Sequence, residues 1–134
     1  MYAVIDTNIL VSAMWNSSGK ASNTSRILWS IFDGYITPYY DERMMKEYID
    51  VLNRTKFNFP VEEIKLVLDV FHVGGIYVVP DPLPGVVLKD ESDRAFYETA
   101  KFCGVPLVTG NLKHFPPDPD IMTPADFCAQ CLAQ

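Results

Sequence analysis

Short apolar runs alternate with longer amphipathic segments along the 134 residues of the chain. Five runs have the length and the residue types of buried strands, at residues 2–5, 35–37, 76–79, 106–109 and 120–122. Pro38 is expected to close the second of these runs.

The segments between these runs place apolar residues at helical spacing. In the segment 41–54, Met44, Tyr48 and Val51 repeat at i, i+4 and i+7, as on one face of a helix. A Ser-Ser-Gly sequence at 17–19 is expected to separate the first two helices. Helices are predicted over residues 9–15, about 21–32, 41–54, a segment after Pro60, about 91–103, and a segment that begins at Pro124.

Strands that alternate with helices are typical of a parallel sheet covered on both faces. The sequence has no internal repeat, and its proline-rich stretch at 80–84 is too short to separate domains, so we expect an ordered loop there. With 49% hydrophobic residues, the chain can bury one substantial core. It therefore predicts a single domain over residues 1–134, of the α/β class, with three α/β/α layers around a short central parallel sheet.

The net charge of the chain limits the classes of function that it can have. The chain has 17 Asp and Glu against 11 Lys and Arg, a formal net charge of −6, which argues against holding nucleic acid by bulk positive charge. Asp6 interrupts the first apolar run too early for a signal peptide, and no run approaches the roughly 18 apolar residues of a membrane span. With three cysteines, these features favour a cytoplasmic protein with no membrane association.

Polar residues follow the predicted strands at their carboxyl ends, where ligands bind in open parallel sheets. A further acid, Glu47, borders the apolar face of the predicted helix 41–54 and is expected to be partly shielded. The strand-end candidates are, in chain order, Asp6, Thr7, Asn8, Asp90, Asp93, Thr109 and Asn111.

Each acid also has a purely structural interpretation. Asp6 can cap the first helix, Glu47 can pair with Arg43 one turn away, and Asp93 can interact with a helix dipole. Together, however, these three carboxylates and Asn111 come from different elements and can converge. Unpaired carboxylates at one place raise each other's pKa, and a hard cation such as Mg²⁺ or Mn²⁺ relieves that repulsion. Such a site can orient water and stabilise a phosphodiester transition state.

Four segments, in this order, carry a family resemblance. They are Val-Ile-Asp-Thr-Asn-Ile-Leu at 4–10, Glu47-Tyr48 with Val51, Leu52 and Arg54, Asp90-x-x-Asp93-x-x-Phe96, and Val-Thr-Gly-Asn at 108–111. In these segments the chain resembles the PIN-domain ribonucleases, above all the small prokaryotic PIN toxins of toxin–antitoxin pairs. The resemblance spans nearly the whole chain and implies the PIN version of a Rossmann-like sheet.

The resemblance also implies roles for individual residues. Asp6, Glu47 and Asp93 would form the acidic triad that binds Mg²⁺ or Mn²⁺. The activity implied is endoribonuclease cleavage that leaves a 3′-hydroxyl and a 5′-phosphate. The partners implied are an RNA substrate, a small antitoxin that occludes the site, and a second copy of the chain in a homodimer. Supporting positions are Thr7, Asn8, Thr109 and Asp90, the last as a helix cap or an outer-shell group.

Asn111 departs from the family pattern, because many members have an aspartate at this position. The amide offers a carbonyl oxygen without the charge, so we expect one well-held metal and a weaker second one. This departure keeps an alternative open, in which the chain is a catalytically weak or inactive PIN domain that binds RNA or protein. A third interpretation is a PIN nuclease of RNA maturation that has no antitoxin.

Other features carry less. Cys128 and Cys131 are three residues apart and are expected to be core residues, and His114 is expected to be an ordinary loop residue that contacts a phosphate at most. An aspartyl phosphatase would have an acid in place of Asn8, and the paired acids and late lysine of a receiver domain are missing. Basic residues that can form a local rim for RNA are Lys20, Arg43, Lys46, Arg54 and Lys113.

Overall fold

The computed structural model describes residues 1–15 and 22–132. Its strands are β1 (Tyr2–Ile5), β2 (Thr37–Tyr40), β3 (Ile76–Tyr77), β4 (Leu107–Val108) and β5 (Ile121–Met122). Its α-helices are α1 (Thr7–Trp15), α2 (Asn23–Phe32), α3 (Glu42–Leu52), α4 (Val61–Gly74), α5 (Arg94–Cys103) and α6 (Pro124–Phe127). The predicted break at 17–19 and the predicted helix start near residue 21 lie outside the described residues.

The five strands form one parallel sheet in the order β3-β2-β1-β4-β5. In the register, Tyr2 lies opposite Thr37 of β2, and Ile5 lies opposite Val108 of β4. From β1 the chain adds β2 and then β3 on one side, and it then adds β4 and β5 on the other side of β1. The neighbours β1 and β4 therefore mark the point where the strand order switches. Such a switch point leaves a crevice at the carboxyl ends of the strands.

The central strand β1 is buried over its last three residues, because helices cover the sheet on both faces. Ala3, Val4 and Ile5 expose no surface, as a strand covered on both faces requires. Among the helices, α5 contacts β1, β2 and β4, α4 contacts β2, and α6 contacts β5. The predicted α/β class and the three-layer arrangement around a short parallel sheet are confirmed.

The prediction for the second strand was wrong. It placed the strand at 35–37 and closed it at Pro38, whereas β2 runs from Thr37 to Tyr40 and contains the proline. Thr37 donates its backbone N–H to Met1 on the β1 side, so the missing N–H of Pro38 faces the opposite side. Pairing with β3 begins only at Tyr39, beyond the proline, and no ladder hydrogen bond is lost.

The other elements lie close to their predicted positions, with local differences at their ends. The segment predicted as one helix from about 91 begins as a 3₁₀ turn over Glu91–Asp93, and α5 starts only at Arg94. At its far end, Gly104 adopts a left-handed conformation (φ 65°) that ends the helix. The last helix continues from α6 into a π-helical turn at Cys128–Leu132.

Candidate active site

Asp6 lies at the carboxyl end of β1, next to the switch point. Its side chain is almost fully buried, with 4% of the residue exposed. Its carboxylate accepts hydrogen bonds from the Thr109 hydroxyl (2.7 Å) and from the Asn8 amide (3.2 Å). The carboxylate therefore bridges towards the end of β4, which goes beyond the capping interpretation.

A small hydrogen-bond network fixes the two strand ends to each other. The Asn8 side-chain oxygen accepts the backbone N–H of Gly110 (3.0 Å), and the Thr109 hydroxyl accepts the backbone N–H of Asn111 (3.0 Å). Thr109 is completely buried, so its hydroxyl holds Asp6 in one orientation. The Thr-Gly-Asn segment thus acts on the site through Thr109 and the backbone.

Glu47 is held beside Asp6 by the first turn of α1. The Thr7 hydroxyl donates to its carboxylate at 2.6 Å. In the next residue along α3, the buried Tyr48 hydroxyl donates to the backbone carbonyl of Ile5, directly before Asp6. These two bonds fix the helix that carries Glu47 against the strand that carries Asp6.

The alternative interpretation of Glu47, a pair with Arg43, was wrong. The Arg43 guanidinium instead bonds Asp41 and Glu98, each at 2.8 Å. Asp41 is the N-cap residue of α3, and Glu98 belongs to α5, so both are better placed than a residue one turn along the same helix. The Glu47 carboxylate consequently remains available at the site.

Asp93, Asp90 and His114 form the other side of the site. Asp93 ends the 3₁₀ turn before α5, and its carboxylate contacts the His114 imidazole Nδ1 at 3.0 Å. Asp90 caps the turn by accepting from the Ser92 N–H (3.0 Å) and hydroxyl (2.8 Å), as its predicted capping role requires. One ligand atom from each of Asp90, Asp93 and His114 lies within 4.8 Å of the others.

His114 is a residue whose position sequence reasoning underestimated. It ends the short 3₁₀ turn Leu112–His114, three residues after Asn111 and on the same strand-end loop. Its place on that loop was the signal in the sequence that could have identified His114 as a site residue. Asn111 itself is exposed and makes no capping bond with its side chain.

The electrostatics show that the acids form one cluster. Burial raises the pKa of Asp6 from 3.8 to about 6, with a smaller upward contribution from the charge of Asp93. Burial also raises the pKa values of Glu47 and Asp93, and neighbouring charges add to this effect: Asp6 and Asp90 on Glu47, and Asp90 and Glu47 on Asp93. Each carboxylate is therefore costly to ionise in the absence of a cation.

Most of the predicted basic rim is already neutralised within the described residues. Besides Arg43, Lys46 pairs with Glu42 and Arg54 pairs with Asp50 along α3. Lys113 is exposed, and Lys20 lies outside the described residues.

The cysteines and the helix lengths give two further facts. Cys128 is buried in the core and Cys131 packs partly against it, and with Cys103 all three are free thiols. Among the described residues, no helix is long and apolar enough to cross a membrane.

The sequence profile of the PIN domain matches residues 2–113, which is most of the chain and includes the predicted site residues from Asp6 to Asn111, while His114 is the first residue beyond the match. The chain belongs to the PIN-domain family. A comparison with individual curated proteins gave no significant match. PIN domains are in general nucleases that use divalent metals, so membership implies a nuclease-type activity on nucleic acid.

The donor set of this PIN domain fits a hard divalent cation. Asp6, Glu47 and Asp93 come from three separate elements and have pKa values raised mainly by burial, and the charge of Asp90 adds to the effect on Glu47 and Asp93. Carboxylate oxygens are the ligands that Mg²⁺ and Mn²⁺ prefer, whereas a structural zinc site would need several sulfur or imidazole ligands. Only His114 offers an imidazole in this cluster.

Proposed function

We propose that this PIN domain is a metal-dependent endoribonuclease. The observation that carries the proposal is the set of three acids, Asp6 and Asp93 buried and Glu47 partly buried, which raise one another's pKa and whose charges no arginine or lysine pairs among the described residues. A cluster of that kind is unfavourable in the folded protein unless it serves to bind a cation. RNA is the substrate that the family resemblance favours.

Asp6, Glu47 and Asp93 would hold the ion, and Asp90 would act from the outer side. When bound, Mg²⁺ or Mn²⁺ lowers the pKa of water and neutralises charge on a phosphodiester. The products expected from such hydrolysis are a 3′-hydroxyl and a 5′-phosphate.

The remaining residues orient the carboxylates. Thr109 and Asn8 fix Asp6, and Thr7 fixes Glu47, through the bonds described above. His114 restrains one oxygen of Asp93 from the strand-end loop. Because these groups are preorganised by neutral hydroxyl and amide donors, the acids keep their charge for the cation.

The proposal extends to the role of a toxin with a small antitoxin that covers the carboxylates, and to a homodimer. The motif resemblance supports the first, and the exposed side chains of Trp15 and Trp29 support an apolar contact between copies. Tyr40 is buried and cannot take part. The free thiols suit a reducing cytoplasm.

The test is cleavage of a mixed pool of structured and single-stranded RNA by the purified chain, with EDTA, Mg²⁺ or Mn²⁺. We expect cleavage only with metal, and a loss of at least about a hundredfold in Asp6→Asn because the central ligand loses its charge. The matched control is Asp126→Asn, which changes an exposed acid on α6 and is expected to cleave like the parent. Cleavage that survives in EDTA would contradict the proposal.

The second candidate is a PIN domain that binds RNA or protein without cutting. Asn111 favours it, since an aspartate there would add a charge to the site. If the parent is inactive and Asn111→Asp cleaves, the binding module is the better description. If a neighbouring antitoxin-sized gene is absent, a role in RNA maturation replaces the toxin role.

A further inference from the structure

A second concave feature lies at the same edge of the sheet as the carboxylates. It is a cavity of about 250 Å³ at the carboxyl ends of β2 and β3. Asp41 follows β2 directly, and Val78 follows β3. Since β2 is the immediate neighbour of β1, this cavity opens roughly one strand spacing, about 5 Å, from the strand that ends at Asp6.

Arg43 is the cation of this cavity, and its charge is already compensated. Its Nε bonds Asp41 and its Nη1 bonds Glu98, both carboxylates being almost fully buried while the arginine side chain is 47% exposed. Within the described residues its Nη2 makes no hydrogen bond. The guanidinium is therefore held in a fixed orientation with one donor group free.

The apolar wall opposite is fixed as well. Tyr77 is 53% exposed and its ring contacts Tyr40 edge to face, while Pro80 and Pro82 line the cavity from the loop after β3. The loop is anchored because Leu83 donates its N–H to Glu98 (2.7 Å) and accepts from Arg94 (2.9 Å). The cavity is preformed, so a ligand does not have to order it.

The cavity and the carboxylate site share two helices. Arg43 and Glu47 are four residues apart on α3, which is about one helical turn of 5.4 Å. Glu98 lies on α5, directly after the turn that carries Asp93. A ligand that crosses the carboxylates along the edge of the sheet reaches the cavity within about one nucleotide.

We propose that this cavity binds one base of single-stranded RNA next to the cleaved phosphodiester, and so gives the enzyme a base preference. This inference rests on the proposed endoribonuclease function. Tyr77 and the prolines offer a stacking surface, and the free Nη2 of Arg43 offers donors to the acceptor atoms of a base edge.

The charges that line the cavity favour a base over a phosphate as its ligand. Three carboxylates, of Asp41, Glu42 and Glu98, line the cavity against the single positive charge of Arg43. A phosphate would be repelled, whereas a neutral ring is not. A cationic protein side chain finds few free acceptors, because Asp41 and Glu98 are engaged by Arg43 and Glu42 pairs with Lys46.

The test compares Tyr77→Ala with the parent in two measurements. Sequencing of fragment ends from a random single-stranded RNA gives the base preference beside the cut. Amide chemical shifts of Val78 and Val79, in an Asp6→Asn background titrated with short homopolymeric RNAs, report binding without cleavage. The matched control is Tyr35→Ala, a tyrosine of similar exposure (48%) that precedes the amino end of β2.

We expect the parent to prefer one base, and Tyr77→Ala to lose that preference and bind the preferred homopolymer roughly tenfold more weakly. Tyr35→Ala should behave as the parent. Val79→Trp, which fills the cavity from an exposed position, is expected to give the same loss and serves if Tyr77→Ala does not fold. Unchanged base preference and affinity in the folded variants would overturn the inference.

The two proposals fail in different ways. If the parent cleaves no RNA, the nuclease function fails, and the chemical shifts still show whether the cavity binds a base. Shifts confined to the amides of 77–79 that vanish in Tyr77→Ala support the base pocket, and absence of such shifts with every homopolymer refutes it.

Discussion

Asp6 is the residue at which folding and function oppose each other. Its carboxylate is buried between two strand ends, and burial raises its pKa from 3.8 to about 6. Between these two pH values the folded protein holds a proton that the unfolded chain releases, so the free energy of unfolding decreases as pH rises through this window. A bound cation offsets that cost at neutral pH.

Replacing Asp6 by asparagine should therefore stabilise the metal-free protein at neutral pH, by at most about 3 kcal/mol for a shift of roughly two pKa units. The gain should disappear near pH 4, where both side chains are neutral. Thermal unfolding in EDTA at several pH values measures it, with Asp126→Asn as the control. An Asp6→Asn protein less stable than the parent at pH 7.5 would refute the electrostatic account.

In the proposed function, Asn111 is the single position at which the chain lacks a charge that many PIN domains carry. Because its amide brings no charge, we expect Asn111→Asp to bind Mn²⁺ at least about fivefold more tightly, with a second site becoming measurable. Isothermal titration calorimetry reports both, and Asn53→Asp, an exposed amide at the end of α3, should leave the affinity unchanged. Two tight sites in the unmodified protein would contradict the role given to Asn111.

At the scale of elements, the cavity beside Arg43 depends on how closely α4, β2 and β3 approach each other. Gly75 connects α4 to β3, and a Cβ there would lie 2.5 Å from the carbonyl oxygen of Phe71 and 2.9 Å from that of Pro38. Both neighbours are backbone atoms, which cannot move aside without shifting a helix or a strand. This contact places β3 and the loop that follows it.

We expect Gly75→Ala to lower the free energy of unfolding by about 1–3 kcal/mol through this overlap. Gly74→Ala is the matched control, since a Cβ at the last residue of α4 meets nothing within 4 Å and alanine favours the helix by up to about 1 kcal/mol. Urea unfolding compares the two neighbours directly. Equal effects of the two substitutions would show that the close approach has no energetic consequence.

At the scale of the whole molecule, an acidic protein has to bind a polyanion. The net charge is −6, and the cations on α3 are paired with carboxylates. Electrostatic attraction by the bulk of the surface is therefore excluded as the main source of affinity. In the proposed function, affinity comes from a cation at the carboxylates and from contacts with bases.

RNA binding should consequently depend on divalent cations more than on monovalent salt. We expect short single-stranded RNA to bind at least about tenfold more tightly with Ca²⁺, which carboxylates also bind, than with EDTA. Fluorescence anisotropy of labelled RNA measures this. Strong binding in EDTA that falls steeply with added KCl would instead indicate that lysines and arginines of the surface hold the RNA.

Much of this arrangement was predictable because it depends on local sequence. The strand-end acids follow short apolar runs, and the family motifs carry Asp6, Glu47 and Asp93 in order. The partner of each acid was not predictable from the sequence. Arg43, for example, pairs with Asp41 before α3 and with Glu98 on α5 and does not pair with Glu47. The position of β2 was also missed, because Pro38 is tolerated inside this strand: its missing N–H faces the β3 side, where pairing begins only at Tyr39.

The sequence by itself determined the α/β class and the family, and it supplied the acids of the proposed site, because periodicity and motif spacing are properties of the chain. Only the tertiary structure decided that Thr109 and Asn8 orient Asp6, that His114 contacts Asp93, and that a cavity opens beside Arg43. Apart from the bond between Asn8 and Asp6, these contacts join residues far apart in the sequence. Their geometry follows from the packing of helices on the sheet, which no local pattern encodes.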